Sequence, residues 1–294
     1  YNTQETQLAK GIEGSNWTQN YFFAYQKSDG YRDHAEADKF SMSGKWFYTP
    51  DDDSYRIGLI ARHYETEAQE PGYLSEEDAH QHPSMTNSYN ATDKGTRRMN
   101  QVSVHFDTDL AETLAWSAKT YVNTFDDRRW TQYWRTSAQQ ERDAYETQYG
   151  ALTSLTWRPE VSWLYDFALE GGADMQQQQN KSERYRTKDR VRLAQTRDQQ
   201  FDFDTYGAYV QAEIKPFESL KIVPAYRVDK IQGNFTNEMT GMDYDINDYG
   251  LIKQPKLSVV YSPWDVASVY ANWGRTFQVG TGAAAYKIPP RDTN

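Results

Sequence analysis

The segment YGAYVQAEIKPFESLKIVPAYRV, residues 206–228, alternates apolar and polar side chains on both sides of a short turn. Every second residue is apolar in 206–214, and the pattern resumes in 220–228 after the turn at 216–219. Successive side chains of a strand point to opposite faces, so each half is predicted to be a strand with one apolar and one polar face. The segment therefore predicts an antiparallel hairpin.

Similar alternation recurs along the chain and predicts about eleven strands, or twelve if residues 3–13 also pair. Short polar or proline-bearing turns separate the strands at one end, and long charged loops separate them at the other. The predicted turns are 49–54, 107–111, 158–162, 216–219 and 262–265, and the predicted loops are roughly 66–96, 126–144, 174–203, 231–253 and 276–294. This asymmetry is typical of bacterial outer-membrane barrels, which have short periplasmic turns and long extracellular loops. We therefore predict an all-β fold, an antiparallel transmembrane β-barrel, as a single unit over residues 1–294.

The composition agrees with a membrane-embedded β-barrel and argues against several other classes of protein. The chain has 23 Tyr and 9 Trp, and aromatic residues of this kind concentrate at lipid–water boundaries. With no Cys it has no disulfide and no thiolate metal site, and its net charge of −10 argues against nucleic-acid binding. No run of 18 apolar residues is present to form a transmembrane helix. The aromatic residues expected near one plane at the short-turn end are Trp157, Trp163, Phe217, Tyr261 and Trp264.

The alternation also predicts which side chains face lipid and which face the lumen of the barrel. The residues predicted to face the lumen are Gln211, Glu213, Arg227, Asp229, Ser117, Lys119 and Asn123. Those predicted to face lipid are Ala208, Val210, Ile222, Leu114 and Val122.

Three motifs carry a resemblance to a known family. They are SDGYRDH at 28–34, PGYL at 71–74, and VYANWGRTF at 269–277 continuing to IPP at 288–290. Their order and spacing resemble those of TonB-dependent outer-membrane receptors for ferric chelates. The resemblance implies a barrel of roughly 22 strands with a plug inside it, of which this chain supplies about half of the wall. It also implies import driven through the TonB complex, by way of a plug that is not present in this chain.

Two clusters of arginine and aromatic residues are the candidate ligand-binding sites. The first is the sequence RRWTQYWR at 128–135, and the second lies in residues 181–197, where seven basic residues stand against two acidic ones. Arginine donates paired hydrogen bonds to carboxylate or catecholate oxygens, and aromatic rings pack on flat organic groups. The predicted contacts are Arg128, Arg129, Trp130, Tyr133, Trp134 and Arg135, with Arg184, Tyr185 and Arg186 behind them. Binding of lipopolysaccharide phosphates or simple solvation of a loop is the alternative.

We find no catalytic motif, and we expect neither enzymatic activity nor a cofactor. His80 and His82 lie in an acidic stretch, where a solvated loop is a better interpretation than a metal site. The predicted partners are a ferric siderophore or similar metal chelate, the TonB complex, and outer-membrane lipid and lipopolysaccharide, with no nucleic acid. Two alternatives remain open: a passive porin or adhesin-type barrel, and a soluble carbohydrate-binding β domain.

Overall fold

The structure, a computed structural model, describes residues 2–264 and 266–277. Within these residues thirteen strands form one antiparallel sheet, in which each strand pairs with the next except that the short β11 pairs only with β10. The strands are β1 (Thr3–Glu13), β2 (Trp17–Ser28), β3 (Ala37–Tyr48), β4 (Arg56–Gln69), β5 (Lys94–Ala111), β6 (Leu114–Thr131), β7 (Gln139–Trp157), β8 (Asp166–Lys188), β9 (Val191–Phe217), β10 (Leu220–Asn237), β11 (Met242–Asp245), β12 (Leu251–Trp264) and β13 (Ala267–Gly274).

Twelve strands follow one another across this sheet, which confirms the all-β antiparallel prediction and the pairing of residues 3–13. Strands β1 and β13 do not pair with each other in the described part of the chain, so the sheet is open there. The β4–β5 loop (residues 70–93) holds a six-residue helix, α1 (Glu76–Gln81), and a 3₁₀ turn (Ser88–Asn90). None of the described helices is long and apolar enough to cross a membrane.

The short connections lie near their predicted places. Strands β3 and β4 are joined by residues 49–55, and β7 and β8 by residues 158–165. The β9–β10 turn is tight, because Phe217 pairs directly with Leu220. Strand β12 continues to Trp264, so the turn predicted at 262–265 begins later, and residue 265 lies outside the described residues.

The turn predicted at 107–111 is wrong, because β5 continues to Ala111 and residues 112–113 make the connection. Asp107 pairs with Ser117, whose hydroxyl donates a 2.7 Å hydrogen bond to the Asp107 carboxylate, and Asp109 pairs with Ala115. The polar composition of this stretch therefore indicates the solvent-exposed end of a strand and not a turn.

Two of the predicted long loops are wrong as well. The interval 126–144 is mostly strand, with only residues 132–138 connecting β6 to β7. The interval 174–203 is almost all strand, because β8 and β9 pair until a two-residue turn at Asp189 and Arg190. Both turn residues have positive φ, 49° and 67°, which matches the twist of a tight hairpin.

The remaining long connections agree better with the prediction. The β4–β5 loop is confirmed, and residues 231–253 contain the end of β10, the short β11 and the start of β12. The loop predicted at 276–294 lies outside the described residues from residue 278 onward.

The two faces of the sheet differ as predicted. On one face Arg227 donates to Asp174 and Asp229, and Gln211 donates to Glu170, so this face carries a hydrogen-bonded polar lining. We call it the lumen face. On the opposite face, the lipid face, apolar side chains such as Val102, Val104, Tyr149, Tyr206 and Val210 are 40–50% exposed.

Aromatic rings follow one another along the lipid face at the short-turn end. Successive ring centroids in this series are 5.1 to 6.3 Å apart in space, and the series runs Trp17, Tyr48, Tyr55, Phe106, Trp116. The five aromatic residues predicted for this end are all exposed, from 44% for Tyr261 to 77% for Trp163. A lipid–water interface stabilises such a belt, whereas a second packed sheet would bury it.

The length of the apolar stretch on the lipid face indicates how much of each strand lies in the membrane. Outward-facing residues of β9 are apolar over 206–214, a length of about 26 Å along the strand. A tilted strand of that length matches the apolar band of an outer-membrane barrel. Asp204 and Asp202 follow on the same face, so β8 and β9 continue well beyond the lipid boundary. Together with the paired outer ends of β6 and β7, they form a projecting wall.

Candidate functional site

The nine predicted ligand contacts all lie at the outer end of this projecting wall, but the structure divides them between its two faces. The strand register places three of them on the lipid face: Arg128, Trp130 and Tyr185. It places three others on the lumen face: Arg129, Arg184 and Arg186. Tyr133, Trp134 and Arg135 lie in the β6–β7 loop (residues 132–138). One compact site containing all nine is therefore not formed.

The outward-facing group belongs to a network of ion pairs. Glu141 and Asp143 are 2% and 1% exposed. The Arg192 guanidinium donates to both carboxylates at 2.7 Å, and Arg128 Nε donates to Asp143 Oδ1 at 3.0 Å. The ring of Tyr185 lies 3.8 Å from the Arg192 guanidinium carbon. Both arginines are thus already paired inside the protein, and the group acts as a structural clasp between β6, β7 and β9.

The pKa shifts in this group reflect burial as well as ion pairing. Burial raises the pKa of Asp143, while the neighbouring guanidiniums of Arg128 and Arg192 oppose that rise. The hydrogen bond to Glu141 raises the pKa of Arg192. Trp130 lies beside Arg128, with 5.9 Å between the guanidinium carbon and the ring centroid.

The lumen face carries a different arrangement at the same height. Arg129 of β6 pairs with Arg142 of β7, Arg142 pairs with Arg184 of β8, and Arg184 pairs with Arg197 of β9. Four arginines therefore stand directly opposite one another on four neighbouring strands. We call this set the arginine row. With neighbouring strands about 4.8 Å apart, the row is roughly 14 Å long at the backbone.

Only one end of the arginine row is neutralised. Arg129 Nε donates to Glu70 Oε2 at 2.6 Å. In the part of the chain that the structure describes, no carboxylate lies within ion-pair distance of Arg142, Arg184 or Arg197. Arg142 donates one long hydrogen bond of 3.4 Å to the side chain of Gln140, two residues earlier on the same strand face.

The unpaired arginines carry a cost that the fold does not relieve. The Nε atoms of Arg142 and Arg184 are buried and have no hydrogen-bond partner among the residues that the structure describes. Burial lowers the pKa of Arg184, and the charges of Arg197 and Arg142 lower it further. Like charges directly opposite one another destabilise a sheet. An anion placed over the row would supply the missing acceptors and cancel the repulsion.

Tyr133 extends this site at its outer edge. Its ring centroid lies 5.1 Å from the guanidinium carbon of Arg142, on the lumen side. Trp134, in the same loop, is 68% exposed, and its backbone N–H donates a hydrogen bond to Ser137 Oγ at 3.1 Å. Arg186 lies one lumen-facing position beyond Arg184 and is exposed.

The β4–β5 loop is fastened to the same end of the wall. Asp93, which is 1% exposed, accepts hydrogen bonds from Asn90, from the Gln139 side chain and from the backbone N–H of Gln132, at 2.7 to 2.8 Å. These bonds hold the end of the β4–β5 loop against the β6–β7 loop.

Two of the sequence motifs that carry the family resemblance meet in this loop. Arg32, in the motif at 28–34, donates to the carbonyls of Pro71 and Gly72 at 3.1 and 2.6 Å. It also donates to the carbonyl of Met85 at 2.8 Å. A single guanidinium therefore ties the β2–β3 connection to both halves of the β4–β5 loop.

Arg142 and Arg197 were not among the predicted contacts. Arg142 fell inside a predicted loop, and Arg197 ended a basic run that was interpreted as loop. Only the strand register places them beside Arg129 and Arg184, and that register requires the strands to continue to residues 188 and 191.

The family model described as TonB dependent receptor-like, beta-barrel matches residues 3–292. The unliganded ferric citrate transporter FecA is similar in structure, with a TM-score of 0.83 at 15% identity over 92% of this chain and 41% of that one. The siderophore receptor PiuA from Acinetobacter baumannii gives 0.74 at 11% identity, over 92% and 47%.

The copper transporter OprC has a TM-score of 0.69 at 16% identity, over 92% of this chain and 42% of that one. The chain thus spans less than half the length of these three solved structures. A search of curated proteins finds no significant match. Because the family model covers almost the whole chain, the chain belongs to the TonB-dependent receptor β-barrel family.

Proposed function

We propose that this chain is part of an outer-membrane receptor that binds an anionic metal chelate at the arginine row and imports it with energy from the TonB complex. The observation that carries the proposal is the set of three lumen-facing arginines, at the outer end of the wall, that form no ion pair with any described residue. A ferric siderophore or a similar chelate is the ligand whose chemistry fits this set.

The geometry supports capture from outside the cell. The row lies on the lumen face, about 30 Å along β9 beyond Tyr206, where the apolar part of that strand ends. A ligand arriving from the medium meets the row before it reaches the polar lining of the barrel. A local concentration of positive charge attracts an anionic ligand even though the chain as a whole carries a charge of −10.

Guanidinium groups also constrain the orientation in which a ligand binds. Each presents several N–H donors in one plane, and paired hydrogen bonds to carboxylate or catecholate oxygens are stronger than those between neutral groups. Tyr133 adds an aromatic surface beside Arg142 for an organic arm of the chelate. Trp134 is exposed in the same loop and is the second aromatic candidate.

The similar structures support a metal-containing cargo. They include proteins named as a ferric citrate transporter, a siderophore receptor and a copper transporter. In this proposal TonB acts through the plug that completes the family's receptors, and outer-membrane lipid and lipopolysaccharide surround the aromatic belt. A passive porin is the competing function, and it differs in needing no energy from TonB.

The test is uptake of radio-iron supplied as ferric citrate by cells that produce the intact receptor carrying this chain and no other receptor for that chelate. Uptake is expected to require TonB, and the triple variant Arg142→Gln, Arg184→Gln, Arg197→Gln is expected to lose most of it. Uptake that continues without TonB would support the porin instead.

A matched control removes three cations from the opposite face of the same wall. Lys94, Arg98 and Lys181 pair with Glu67, Glu65 and Glu183 respectively, and all three have the alternation of the lipid face. Replacing these three by glutamine changes the total charge by the same amount and is expected to leave uptake near normal. Equal loss in both triple variants would contradict a role for the arginine row.

A further inference from the structure

Glu70 is a carboxylate that the chain itself supplies to one end of the arginine row. It accepts a hydrogen bond from Arg129 Nε at 2.6 Å, in the position that an acid group of a ligand would take. Gly95 stands opposite Arg129 in the register, and a Cβ there would lie 3.0 Å from Glu70 Oε1. The absence of a side chain at residue 95 therefore leaves space for the Glu70 carboxylate above the sheet.

Glu70 is held in this place from both sides. Its backbone N–H donates to the Asp93 carbonyl at 3.1 Å, at the point where the two ends of the β4–β5 loop meet. Asp93 is in turn fixed to Gln132 and Gln139, next to the row. Burial raises the pKa of Glu70, and the hydrogen bond from Arg129 opposes that rise. The pair is thus a built part of the wall rather than a chance surface contact.

Within residues 2–264 and 266–277, the other three arginines have no carboxylate partner. Arg142, Arg184 and Arg197 lie side by side, so that Arg184 faces a like charge on both sides. A single carboxylate would neutralise one guanidinium and leave the other two repelling each other. A compact ligand with several acid groups on one side would meet all three.

We propose, building on the function proposed above, that the site selects chelates with about three negative groups on one face, of the polycarboxylate class. Glu70 sets this number by occupying Arg129, and it is the specificity-determining residue of the site. Neutral chelates, such as those with hydroxamate ligands, offer acceptors for the N–H groups but leave the repulsion between the guanidiniums in place. They are therefore bound weakly.

The test is equilibrium binding to the purified intact receptor at low salt, with ferric citrate as the anionic probe and a neutral ferric trihydroxamate as the comparison. Glu70→Gln frees Arg129 and is expected to tighten ferric citrate binding about five- to tenfold. Its affinity should also fall more steeply as salt is added, because one more cation faces the ligand. Glu70→Ala is expected to act in the same direction, which guards against a folding defect in one variant.

Glu67→Gln is the control, because Glu67 pairs with Lys94 on the lipid face only a few residues away. It is expected to leave both affinities within about twofold of the original, since an exposed ion pair contributes little. The neutral probe is expected to bind at least tenfold more weakly than ferric citrate and to be insensitive to Glu70→Gln.

The outcomes separate this inference from the proposed function. Equal affinity for the two probes, or weaker ferric citrate binding in both Glu70 variants, would overturn the inference. TonB-dependent uptake of ferric citrate would then still support the proposed function. If the receptor imports neither probe, the proposed function fails as well.

Discussion

Replacing Arg184 by methionine should make the receptor more stable and less able to bind its ligand. Arg184 lies between Arg142 and Arg197 and pairs with no carboxylate in the described residues. Methionine keeps the apolar stem and removes both the charge and the buried, unpartnered Nε. Two directly opposed like-charge pairs at about 0.5 kcal/mol each give an expected gain of roughly 1 kcal/mol in the free energy of unfolding.

Arg128→Met makes the same chemical change on the opposite face and should have the opposite effect. Arg128 donates at 3.0 Å to Asp143, which is 1% exposed. The substitution removes a charge-assisted hydrogen bond and leaves Asp143 with Arg192 as its remaining cation. We expect a loss of about 2 kcal/mol, within the range for hydrogen bonds to charged groups.

The assay is equilibrium unfolding by urea of the intact receptor in lipid vesicles, without ligand, at low and high salt. The gain from Arg184→Met should shrink at high salt, because repulsion between partly exposed charges is screened. Ferric citrate binding by this variant should fall about tenfold or more. If Arg184→Met destabilises the receptor as much as Arg128→Met, the arginine row is not strained, and the argument that it awaits an anion is refuted.

Three further predictions concern the wall and its loops. Val210→Arg should cost about 2–4 kcal/mol in folding into lipid, by urea titration, whereas Gln211→Arg should cost much less because that side chain faces the lumen. Trp134→Ala should weaken chelate binding by about 1 kcal/mol, measured by isothermal titration. Trp130→Ala should lower the stability of the receptor instead, because Trp130 faces outward. Equal effects of the two variants on affinity would contradict this difference. Asp93→Ala should speed hydrogen exchange throughout the β4–β5 loop, and unchanged exchange would show that the loop is held elsewhere.

The membrane-embedded part of the fold was predictable from the sequence because lipid and lumen impose opposite chemistry on alternate residues. Residues 206–228 show the effect directly, and the pairing of β9 with β10 follows the predicted turn. The aromatic belt was predictable for the same reason, since Trp and Tyr collect at the interface.

Above the membrane both faces of a strand are wet, and the alternation disappears. Residues 181–203 contain arginine and glutamine on either face, so the sequence resembles a loop although β8 and β9 pair throughout. The Asp189–Arg190 turn has no glycine or asparagine to signal a tight hairpin.

The candidate site was only partly predictable for a related reason. The basic and aromatic clusters were visible in the sequence, and Arg129, Tyr133 and Arg184 do lie on the lumen side. The register of four strands places Arg128 and Arg129 on opposite faces. The same register brings Arg142 and Arg197 into the site. Composition alone carries no information about that register.

The most direct test of the central claim is the position of the metal in a structure of the intact receptor bound to ferric citrate. Anomalous scattering at the iron edge identifies the metal without interpretation of the surrounding density. We predict an iron peak on the lumen face, with the chelate oxygens between the metal and the guanidiniums of Arg142, Arg184 and Arg197. An iron peak beside the outward network of Arg128 and Arg192, or elsewhere in the barrel with the arginine row unoccupied, would contradict the account.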